Sequence, residues 1–516
     1  MPITISSRLP DPGDSCVVVD DPDQIEERYE SLRYDESRID SLVPQRIFFP
    51  ESTEQLAWSV RRAIEFGGGI TVSGARTGIV GGATVYSENL ISTEKIKGEL
   101  SLVPGENRNT LICGAGTTLD EVREFLATSG DRYPVDPTES TATVGGTVAT
   151  NASGARTLKH GPTRDWVVAA SVVLANGRIV DLQRGGAVSD DCVFDFAGAE
   201  GTLRVEAEPV VSPQTKHNAG YAITKPMDAI DLFIGSEGTL GIVGSVVLAL
   251  DPLPDSIIGL TMFISNLDPV PIVEELASLE PAAIEYMDDR SLRLLAEARE
   301  LGVDGGAIPE IPEEAVGAIY VEFELVSEDA LEACYGQLEE ILLRHEIDPD
   351  TTWGAFEQEG ILDMKRFRHA LPERINSILG ARKLKVPELR KIGTDMAVPL
   401  EGLPELMDHY RSSLSKLGAD YAIFGHIGDG HLHVNIIPKS LSELEAGHEL
   451  YREFAKHAVE LGGSVAGEHG IGRIKRDFLE IQYTESQIAS MQMIKNKLDP
   501  DWRLNPGVLF AESYAD

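Results

Sequence analysis

Long apolar runs and paired cysteines are both scarce in this chain of 516 residues. The longest apolar stretches, such as WVVAASVVLA at 166–175, have the length of a strand and are too short to span a bilayer. The N-terminal residues lack the basic and apolar regions of a secretory signal peptide. The four cysteines, Cys16, Cys113, Cys192 and Cys334, lie far apart and form no CxxC pair, which excludes an iron–sulfur ligand run. We therefore expect no transmembrane segment and a reduced compartment, either cytoplasmic or peripheral at the membrane.

Basic side chains are also few. The chain has 45 Lys and Arg residues but 84 Asp and Glu residues, so its formal net charge is −39. Such a charge repels nucleic acid and anionic lipid surfaces, so no nucleic-acid partner is expected. Only 15 of the 45 basic residues are Lys. An acidic, Lys-poor surface is typical of proteins from a high-salt cytoplasm, where salt screens the repulsion between like charges. An acidic protein of an ordinary cytoplasm is the alternative.

Hydrophobic residues make up 42% of the chain and 49 residues are Gly, over a length that predicts two or three domains. A strand at 46–50 precedes a helix that Ser52 or Thr53 caps and Gly67 ends. The stretch 165–180 has the pattern of a β-hairpin that turns at Asn176–Gly177. Residues 1–40 are polar and acidic, which indicates an arm or short helices.

A Pro-rich segment near Leu250 predicts a domain boundary. After it, strand patterns alternate with helical stretches, which indicates an α+β domain with an antiparallel sheet. These strands are predicted at 257–264, 317–325, 391–399, 421–427 and 431–438.

Two glycine-rich stretches lie in the N-terminal half, at 73–83 and 136–167. Small residues expose consecutive backbone N–H groups, which form anion-binding nests, and the neighbouring hydroxyls add donors. A diphosphate is the expected ligand. Neither stretch is a Walker loop or a GxGxxG turn between a strand and a helix.

Four of the 11 histidines fall in two C-terminal patches, GHIGDGHLHVNI and GEHGIGRIK. Imidazoles and a carboxylate among glycines suggest a divalent metal beside a proton-transfer residue, and alone they leave hydrolysis and oxidation equally open. His431, His433 and Asn435 share one face of a strand because side chains alternate, and the Gly-Asp-Gly turn can bring His426 near His433. Lys475 is interpreted as a surface charge.

Five motifs in one order resemble the FAD-linked D-2-hydroxy-acid dehydrogenases of the vanillyl-alcohol-oxidase-type flavoprotein superfamily. They read SGARTGIVGG, DPTESTATVGGTVATNASG, GSEGTLGIV, GHIGDGHLHVNI and GEHGIGRIK. The group includes D-lactate dehydrogenase, the glycolate oxidase FAD subunit and D-2-hydroxyglutarate dehydrogenase. The resemblance implies an α+β fold, with a two-subdomain FAD-binding domain and a cap domain whose antiparallel sheet is covered by helices. It implies an N-terminal arm at 1–41, the FAD-binding domain at 42–253, a substrate/cap domain with the metal site at 254–490, and a closing C-terminal segment at 491–516.

The resemblance further implies bound FAD, which is non-covalent because the first loop lacks the His that covalent relatives carry. The pyrophosphate would lie on Ser73, Gly74, Ala75, Arg76, Thr77, Gly78, Gly81 and Gly82. The flavin and ribityl chain would be lined by Pro137, Thr138, Ser140, Gly145, Gly146, Thr150 and Ala152. Glu237, Gly238 and Ile242 would contact the adenine end. Arg76 departs from the family, which usually has Gly there.

The metal ligands implied by the resemblance are His426, His433 and Glu468, and His431 is left out because the family often has Asn there. Zn²⁺ suits two imidazoles and a carboxylate, and Mn²⁺ and Fe²⁺ are alternatives. His469 matches the general base. Asn435 would hydrogen-bond the substrate and Arg368 would bind its carboxylate, a task that suits a planar guanidinium.

The implied reaction is oxidation of a D-2-hydroxy acid, with D-lactate or glycolate favoured, by hydride transfer to flavin N5 and proton transfer to His469. Electrons would leave to a separate acceptor: a quinone, an electron-transfer flavoprotein or an iron–sulfur subunit. The alternatives are a D-2-hydroxyglutarate dehydrogenase, an ether-lipid synthase of the same superfamily, and a non-enzymatic flavin or metal-binding subunit. The sequence leaves a homodimer open.

If the acidic surface is an adaptation to high salt, removing salt should unfold the protein, because unscreened surface charges repel one another. We expect the melting temperature, measured by circular dichroism, to fall between molar salt and dilute buffer. Sucrose of equal osmolality is the control, since it screens no charge. Unchanged melting over the whole salt range would contradict this prediction.

Overall fold

The computed structural model describes residues 3–11, 13–302, 308–325 and 327–511. The strands are β1 (Ile3–Arg8), β2 (Val17–Val19), β3 (Arg46–Phe49), β4 (Ile70–Ser73), β5 (Asn89–Ser92), β6 (Ser101–Val103), β7 (Thr110–Gly114), β8 (Asp131–Arg132), β9 (Val167–Val173), β10 (Ile179–Gln183), β11 (Val188–Ser189), β12 (Val193–Gly198), β13 (Gly201–Glu206), β14 (Met227–Asp228), β15 (Ile242–Ala249), β16 (Asp251–Pro252), β17 (Ser256–Ile264), β18 (Ala283–Asp288), β19 (Gly317–Leu325), β20 (Trp353–Ala355), β21 (Ile392–Gly393), β22 (Asp420–His426) and β23 (His431–Ile437). The α-helices are α1 (Pro22–Arg28), α2 (Thr53–Phe66), α3 (Leu119–Leu126), α4 (Val144–Ala149), α5 (Thr157–His160), α6 (Val270–Ala277), α7 (Asp289–Glu300), α8 (Glu328–Arg344), α9 (Gln358–Lys383), α10 (Leu403–Leu417), α11 (Leu441–Glu460), α12 (Leu479–Gln482) and α13 (Glu485–Leu498).

The N-terminal half contains a four-stranded sheet in the order β2-β3-β5-β4 and an eight-stranded sheet in the order β13-β12-β1-β10-β9-β15-β7-β6. Strands β3, β5 and β4 are parallel, and α2 connects β3 to β4. The predicted caps of α2 are confirmed, because Ser52 accepts from the backbone N–H of Gln55 and Gly67 ends the helix at φ +83°. The apolar face of α2 lies in one buried cluster with side chains of β3 and β4 and of β9, β10 and β15.

The predicted hairpin is confirmed, since β9 and β10 pair antiparallel around Gly177, which has φ +75°. The first residues of the chain differ in part from the expected arm or short helices. Residues 22–33 do form short helices, but β1 lies between β12 and β10 inside the eight-stranded sheet. Its apolar residues, Ile3 and Ile5, alternate with polar ones over too few positions to have indicated this strand.

The C-terminal half contains a seven-stranded sheet in the order β20-β17-β19-β18-β22-β23-β21, and all of its pairs are antiparallel. The predicted antiparallel sheet covered by helices is therefore confirmed. Helices α7 and α9 pack their apolar side chains, such as Leu295 and Phe367, against one face of this sheet. Among the described residues, no helix is both long enough and apolar enough to cross a membrane.

Charged side chains join the two halves where β19 meets the segment that carries α5. Glu324 accepts from both terminal nitrogens of Arg132 at 2.5 and 2.7 Å and lies 2.9 Å from His160 Nε2. Arg156 donates to Glu322 at 2.6 Å. Burial alone would raise the pKa of Glu324, but His160 and Arg132 hold it well below its usual range. This junction therefore adds paired charges to the apolar core that the two halves share.

The C-terminal segment packs on the glycine-rich side of the N-terminal half. Leu504 forms a β-bridge with Ile70. The amide oxygen of Asn505 accepts from Val72 N–H at 2.7 Å, and its nitrogen donates to the carbonyl of Glu237 at 2.8 Å. This one side chain ties the start of the first glycine-rich loop to the loop that contains Glu237.

Candidate active site

The first glycine-rich loop follows β4 and offers a run of unused backbone donors. No backbone N–H between residues 74 and 82 donates to an acceptor among the residues that the structure describes. A Cβ atom added at Gly78 would meet nothing within 4 Å, so the backbone is open to a ligand there. Consecutive free N–H groups are the feature that binds a phosphate, and the loop therefore fits the diphosphate of FAD.

Arg76 is a non-glycine residue in the left-handed region, with φ +62°. Its guanidinium donates to Gly74 O at 2.8 Å and to the two oxygens of Glu94 at 2.9 and 3.1 Å. The positive charge is therefore already paired, and the two-pronged contact holds the strained backbone in place.

The second glycine-rich stretch leads through α4 towards the C-terminal half. Thr143 caps α4, and Gly145 lies so close to Ala115 that an added Cβ would be 2.5 Å from the Ala115 side chain. After α4, the Ser153 hydroxyl donates to Glu468 at 3.3 Å. Upstream of α4, the Ser140 hydroxyl donates to Asp120 on α3. The predicted flavin-lining stretch thus runs directly into the second C-terminal patch.

Glu237 connects the glycine-rich side with that same patch. Its buried carboxylate accepts from the backbone N–H groups of Ile471 and Gly472, each at 2.8 Å. Burial raises the pKa of Glu237, although these two donors oppose the shift. The side chain is thus bound to the protein's own backbone. A contact of this loop with adenine stays a prediction.

The first histidine patch forms the end of β22, a tight turn and β23. Gly430 has φ +64°, and an added Cβ would lie 1.9 Å from Val398 O, so only glycine fits this turn. His426 pairs with His431 across the two strands, and the ring centroids of His426 and His433 are 5.7 Å apart. The predicted approach of His426 to His433 is confirmed.

Hydrogen bonds orient both rings towards Glu468. His433 Nδ1 lies 2.9 Å from the carbonyl of Thr394, to which it donates, and its Nε2 is 3.9 Å from Glu468 Oε2. His426 Nδ1 lies 2.6 Å from Glu285 Oε1, and its Nε2 is 3.3 Å from Glu468 Oε1. In each ring, therefore, Nδ1 is hydrogen-bonded to the protein and Nε2 faces Glu468. Metal-binding histidines commonly have this arrangement. Two imidazole nitrogens and a carboxylate fit a divalent ion such as Zn²⁺.

The charges at this cluster are strongly coupled. Burial opposes protonation of His426, but the carboxylates of Glu285 and Glu468 raise its pKa to about 9. Burial would also raise the pKa of Glu468, yet Lys216 and His426 keep it well below its usual range. Glu468 is therefore ionised, as a ligand must be.

His431 is fully buried and also reaches the cluster, because one ligand atom from each of His426, His431, His433 and Glu468 fits within 4.8 Å of the others. Its Nε2 lies 3.1 Å from Asp395 Oδ1. Its Nδ1 has no hydrogen-bond partner in the described part of the chain. The exclusion of His431 from the ligand set stays a prediction.

Asp395 is the most connected carboxylate of the site. It accepts from the backbone N–H groups of Glu468 at 3.1 Å and of His469 at 3.0 Å, and from Lys475 Nζ at 2.7 Å. The interpretation of Lys475 as a surface charge is wrong, since the residue is only 3% exposed and pairs with Asp395. Despite its burial, Asp395 has a pKa well below its usual range, owing to His469 and Lys475.

His469 lies between Asp395 and the ring of His433. Its Nδ1 is 3.3 Å from Asp395 Oδ1, and its ring stacks on His433 with a centroid distance of 5.3 Å. Desolvation lowers the pKa of His469, and Asp395 opposes this only in part. The imidazole is therefore neutral at neutral pH, with Nδ1 as the donor to Asp395 and Nε2 as the proton acceptor.

The two predicted substrate-binding residues lie on α9 and β23. Arg368 on α9 donates to Glu285 Oε2 at 2.7 Å and covers the ring of Tyr320 at 5.3 Å. Glu285 is therefore shared between Arg368 and His426. Asn435 is buried on β23, two residues after His433 and on the same strand face.

Four residues of the site, Glu285, Lys216, Asn218 and Asp395, were not predicted from the sequence. Lys216 Nζ lies 2.5 Å from Glu468 Oε1, and the Asn218 amide donates to the carbonyls of Thr150 and Glu468. Glu285 had one available signal, because it is a charged residue in an otherwise apolar strand. Lys216 and Asn218 lie in an irregular connection with no pattern to single them out.

Comparison with known proteins gives two family matches. Residues 44–183 match the FAD binding domain, and residues 268–509 match the C-terminal domain of FAD linked oxidases. The chain is 30% identical to a D-lactate dehydrogenase of Anaerostipes hadrus, covering 90% of this chain and 89% of the relative. It is 28% identical to the glycolate oxidase subunit GlcD of Bacillus subtilis, covering 91% and 90%. It is 26% identical to a D-2-hydroxyglutarate dehydrogenase of Stutzerimonas stutzeri, covering 91% of each chain.

Among solved structures, an alkyldihydroxyacetonephosphate synthase aligns with a TM-score of 0.63 over 95% of this chain and 82% of that chain, at 16% identity. At that identity, the likeness concerns the fold alone. Together with the family matches, it confirms the predicted α+β fold of the vanillyl-alcohol-oxidase type.

Replacement of the Asp395 carboxylate should destabilise the protein. In Asp395→Asn, an amide N–H₂ must face a backbone N–H or the Lys475 ammonium, so the buried cation loses its partner. We expect a cost of about 3–5 kcal/mol in the free energy of unfolding, measured as a lower urea midpoint of the FAD-loaded protein. Asp363→Asn is the control, because Asp363 pairs with Arg366 on an exposed helix face and should cost under about 0.5 kcal/mol. Equal effects of the two substitutions would contradict this prediction.

Proposed function

Because the chain belongs to the family of FAD-linked oxidases, we propose that it oxidises a D-2-hydroxy acid to the 2-oxo acid with FAD. D-Lactate or glycolate is the favoured substrate. The names of the relatives support a small 2-hydroxy acid, and they include a dehydrogenase of the larger D-2-hydroxyglutarate, which is the alternative substrate. An ether-lipid synthase is a weaker alternative, since the structural likeness concerns only the fold.

One observation carries this proposal: the predicted flavin-lining stretch and the metal-binding cluster are in direct contact. Asn218 donates to the carbonyl of Thr150 at 2.6 Å and to the carbonyl of Glu468 at 2.7 Å. Ser153, just after the stretch, donates to the Glu468 side chain. A substrate held at the cluster would therefore lie beside the flavin, as hydride transfer requires.

The residues at the cluster have separate roles towards the substrate. Arg368 binds the carboxylate, in an orientation that Glu285 maintains through its 2.7 Å ion pair. Asn435 hydrogen-bonds the substrate from β23. His469 accepts the hydroxyl proton at Nε2, because its Nδ1 faces Asp395.

The bound groups supply the remaining chemistry. FAD, when bound, accepts the hydride from Cα at N5. A divalent metal, when held by His426, His433 and Glu468, lowers the pKa of the substrate hydroxyl. The reduced cofactor would need a separate electron acceptor, for which a quinone, an electron-transfer flavoprotein and an iron–sulfur subunit are the candidates.

Anaerobic bleaching of the flavin by a panel of acids tests this function. The panel contains D-lactate, L-lactate, glycolate, D-2-hydroxybutyrate and D-2-hydroxyglutarate, each added to the FAD-loaded protein. We expect D-lactate or glycolate to bleach the flavin fastest and L-lactate to fail. Fastest bleaching by D-2-hydroxyglutarate would select the alternative substrate. If none of the acids bleaches the flavin, the proposed dehydrogenase activity is refuted.

His469→Ala should abolish flavin reduction while FAD stays bound, because the proton acceptor is lost but the glycine-rich loops are intact. We expect the rate of reduction to fall by at least about 100-fold, measured by stopped-flow absorbance under anaerobic conditions. His448→Ala, on the exposed side of α11, is the matched control and should reduce at the normal rate. A His469→Ala enzyme that keeps a tenth or more of the rate would exclude His469 as the base.

Arg368→Ala should raise KM and also lower kcat, because the carboxylate contact both binds the acid and orients Cα. Loss of a charge-assisted hydrogen bond predicts a decrease in kcat/KM of about 10- to 100-fold. Arg366→Ala, two residues away on the exposed face of α9, is the control. If both variants behave alike, Arg368 does not bind the substrate.

A further inference from the structure

A buried lysine occupies the cluster without a role in the proposed reaction. The Lys216 side chain is 5% exposed, and its ammonium lies 2.5 Å from Glu468 Oε1, 3.4 Å from Asp429 Oδ2 and 3.5 Å from Gly154 O. An ammonium has three N–H donors, and here each donor has one acceptor. All three N–H donors of Lys216 are therefore bound to acceptors of the protein, and none is left for a substrate.

The ammonium of Lys216 shares its main partner with the metal-binding cluster. Glu468 Oε1, which Lys216 contacts, also faces His426 Nε2 at 3.3 Å. A divalent ion that binds Glu468 would stand within a few ångströms of this ammonium. Two positive charges at such a distance repel strongly where water is excluded. Lys216 and the metal therefore compete for one carboxylate.

The surroundings of Lys216 offer its ammonium a second position, beside Asp429. Asp429 Oδ2 already lies 3.4 Å from the Lys216 ammonium. A cavity of about 240 Å³ is lined by Lys216 and Asp429. The side chain thus has both an acceptor and free volume when it leaves Glu468.

We propose that Lys216 is a built-in counter-ion of Glu468, which keeps the cluster assembled without metal and weakens its affinity for a divalent ion. When the ion binds Glu468, the Lys216 ammonium moves to Asp429. This inference rests on the proposed function in taking His426, His433 and Glu468 as the metal ligands.

Zinc titration of the FAD-loaded, metal-stripped protein tests the inference by affinity rather than by activity. Zn²⁺ is added in competition with a chromophoric chelator to the wild type, Lys216→Met and Lys439→Met. We expect Lys216→Met, which keeps the chain length but removes the charge, to bind Zn²⁺ at least about tenfold more tightly. Lys439→Met is the control, because Lys439 pairs with Asp420 on the surface, and its affinity should match the wild type. Equal or weaker binding by Lys216→Met would overturn the inference.

Asp429→Asn gives a second test that does not need Lys216→Met to fold. Without the charge of Asp429, Lys216 stays on Glu468, and we expect Zn²⁺ to bind at least about threefold more weakly than to the wild type. Zinc affinity that Asp429→Asn leaves unchanged would overturn the inference. If neither the wild type nor Lys216→Met binds Zn²⁺, the inference and the metal site both fall, whereas flavin bleaching by a hydroxy acid would still uphold the dehydrogenase.

Discussion

The active region depends on one buried carboxylate, that of Asp395, and on the residue before it. The carbonyl of Thr394 accepts from His433 and fixes its inward Nε2. Asp395 binds the backbone of Glu468 and His469 and the side chain of Lys475. Two adjacent residues after β21 therefore set the orientation of the His433 ring, a proposed metal ligand, and the position of the loop that carries His469, the proposed proton acceptor. A buried carboxylate can do this because each of its oxygens accepts several hydrogen bonds.

The two halves of the molecule meet through buried ion pairs as well as through a shared apolar core. The pairs of Glu322 and Glu324 with Arg156 and Arg132 are almost fully withdrawn from water. Salt screens exposed charges over a few ångströms but acts much less on buried pairs. A chain with a net charge of −39 can therefore carry its excess acidic side chains on the surface, while each carboxylate at the junction between the two halves is paired with an arginine. Alignment of the flavin side with the cap side then depends on geometry that salt does not weaken.

Elements with a local cause were predictable from the sequence. Ser52 and Gly67 bound α2, and the Asn-Gly turn forms the hairpin, because caps and turns depend on a few neighbouring residues. The histidine cluster was predictable because strand alternation and a glycine turn are also local. The partners Lys216, Asn218 and Asp395 were not, since their contacts join segments that are from about 70 to more than 250 residues apart in the chain. Only the tertiary fold brings them together, and no local pattern encodes it.

Neighbouring residues Glu468 and His469 are held ready for opposite tasks by different partners. Lys216 and His426 keep the Glu468 carboxylate ionised, which suits its proposed role as a metal ligand. Desolvation keeps the His469 imidazole neutral, as a proton acceptor must be, while Asp395 directs its Nδ1. Because the two side chains are adjacent, a single rigid loop can deliver both, provided that each faces its own counter-charge. Because Lys216 pairs with Glu468 and Asp395 faces His469, one short motif can carry both the proposed ligand and the proposed base.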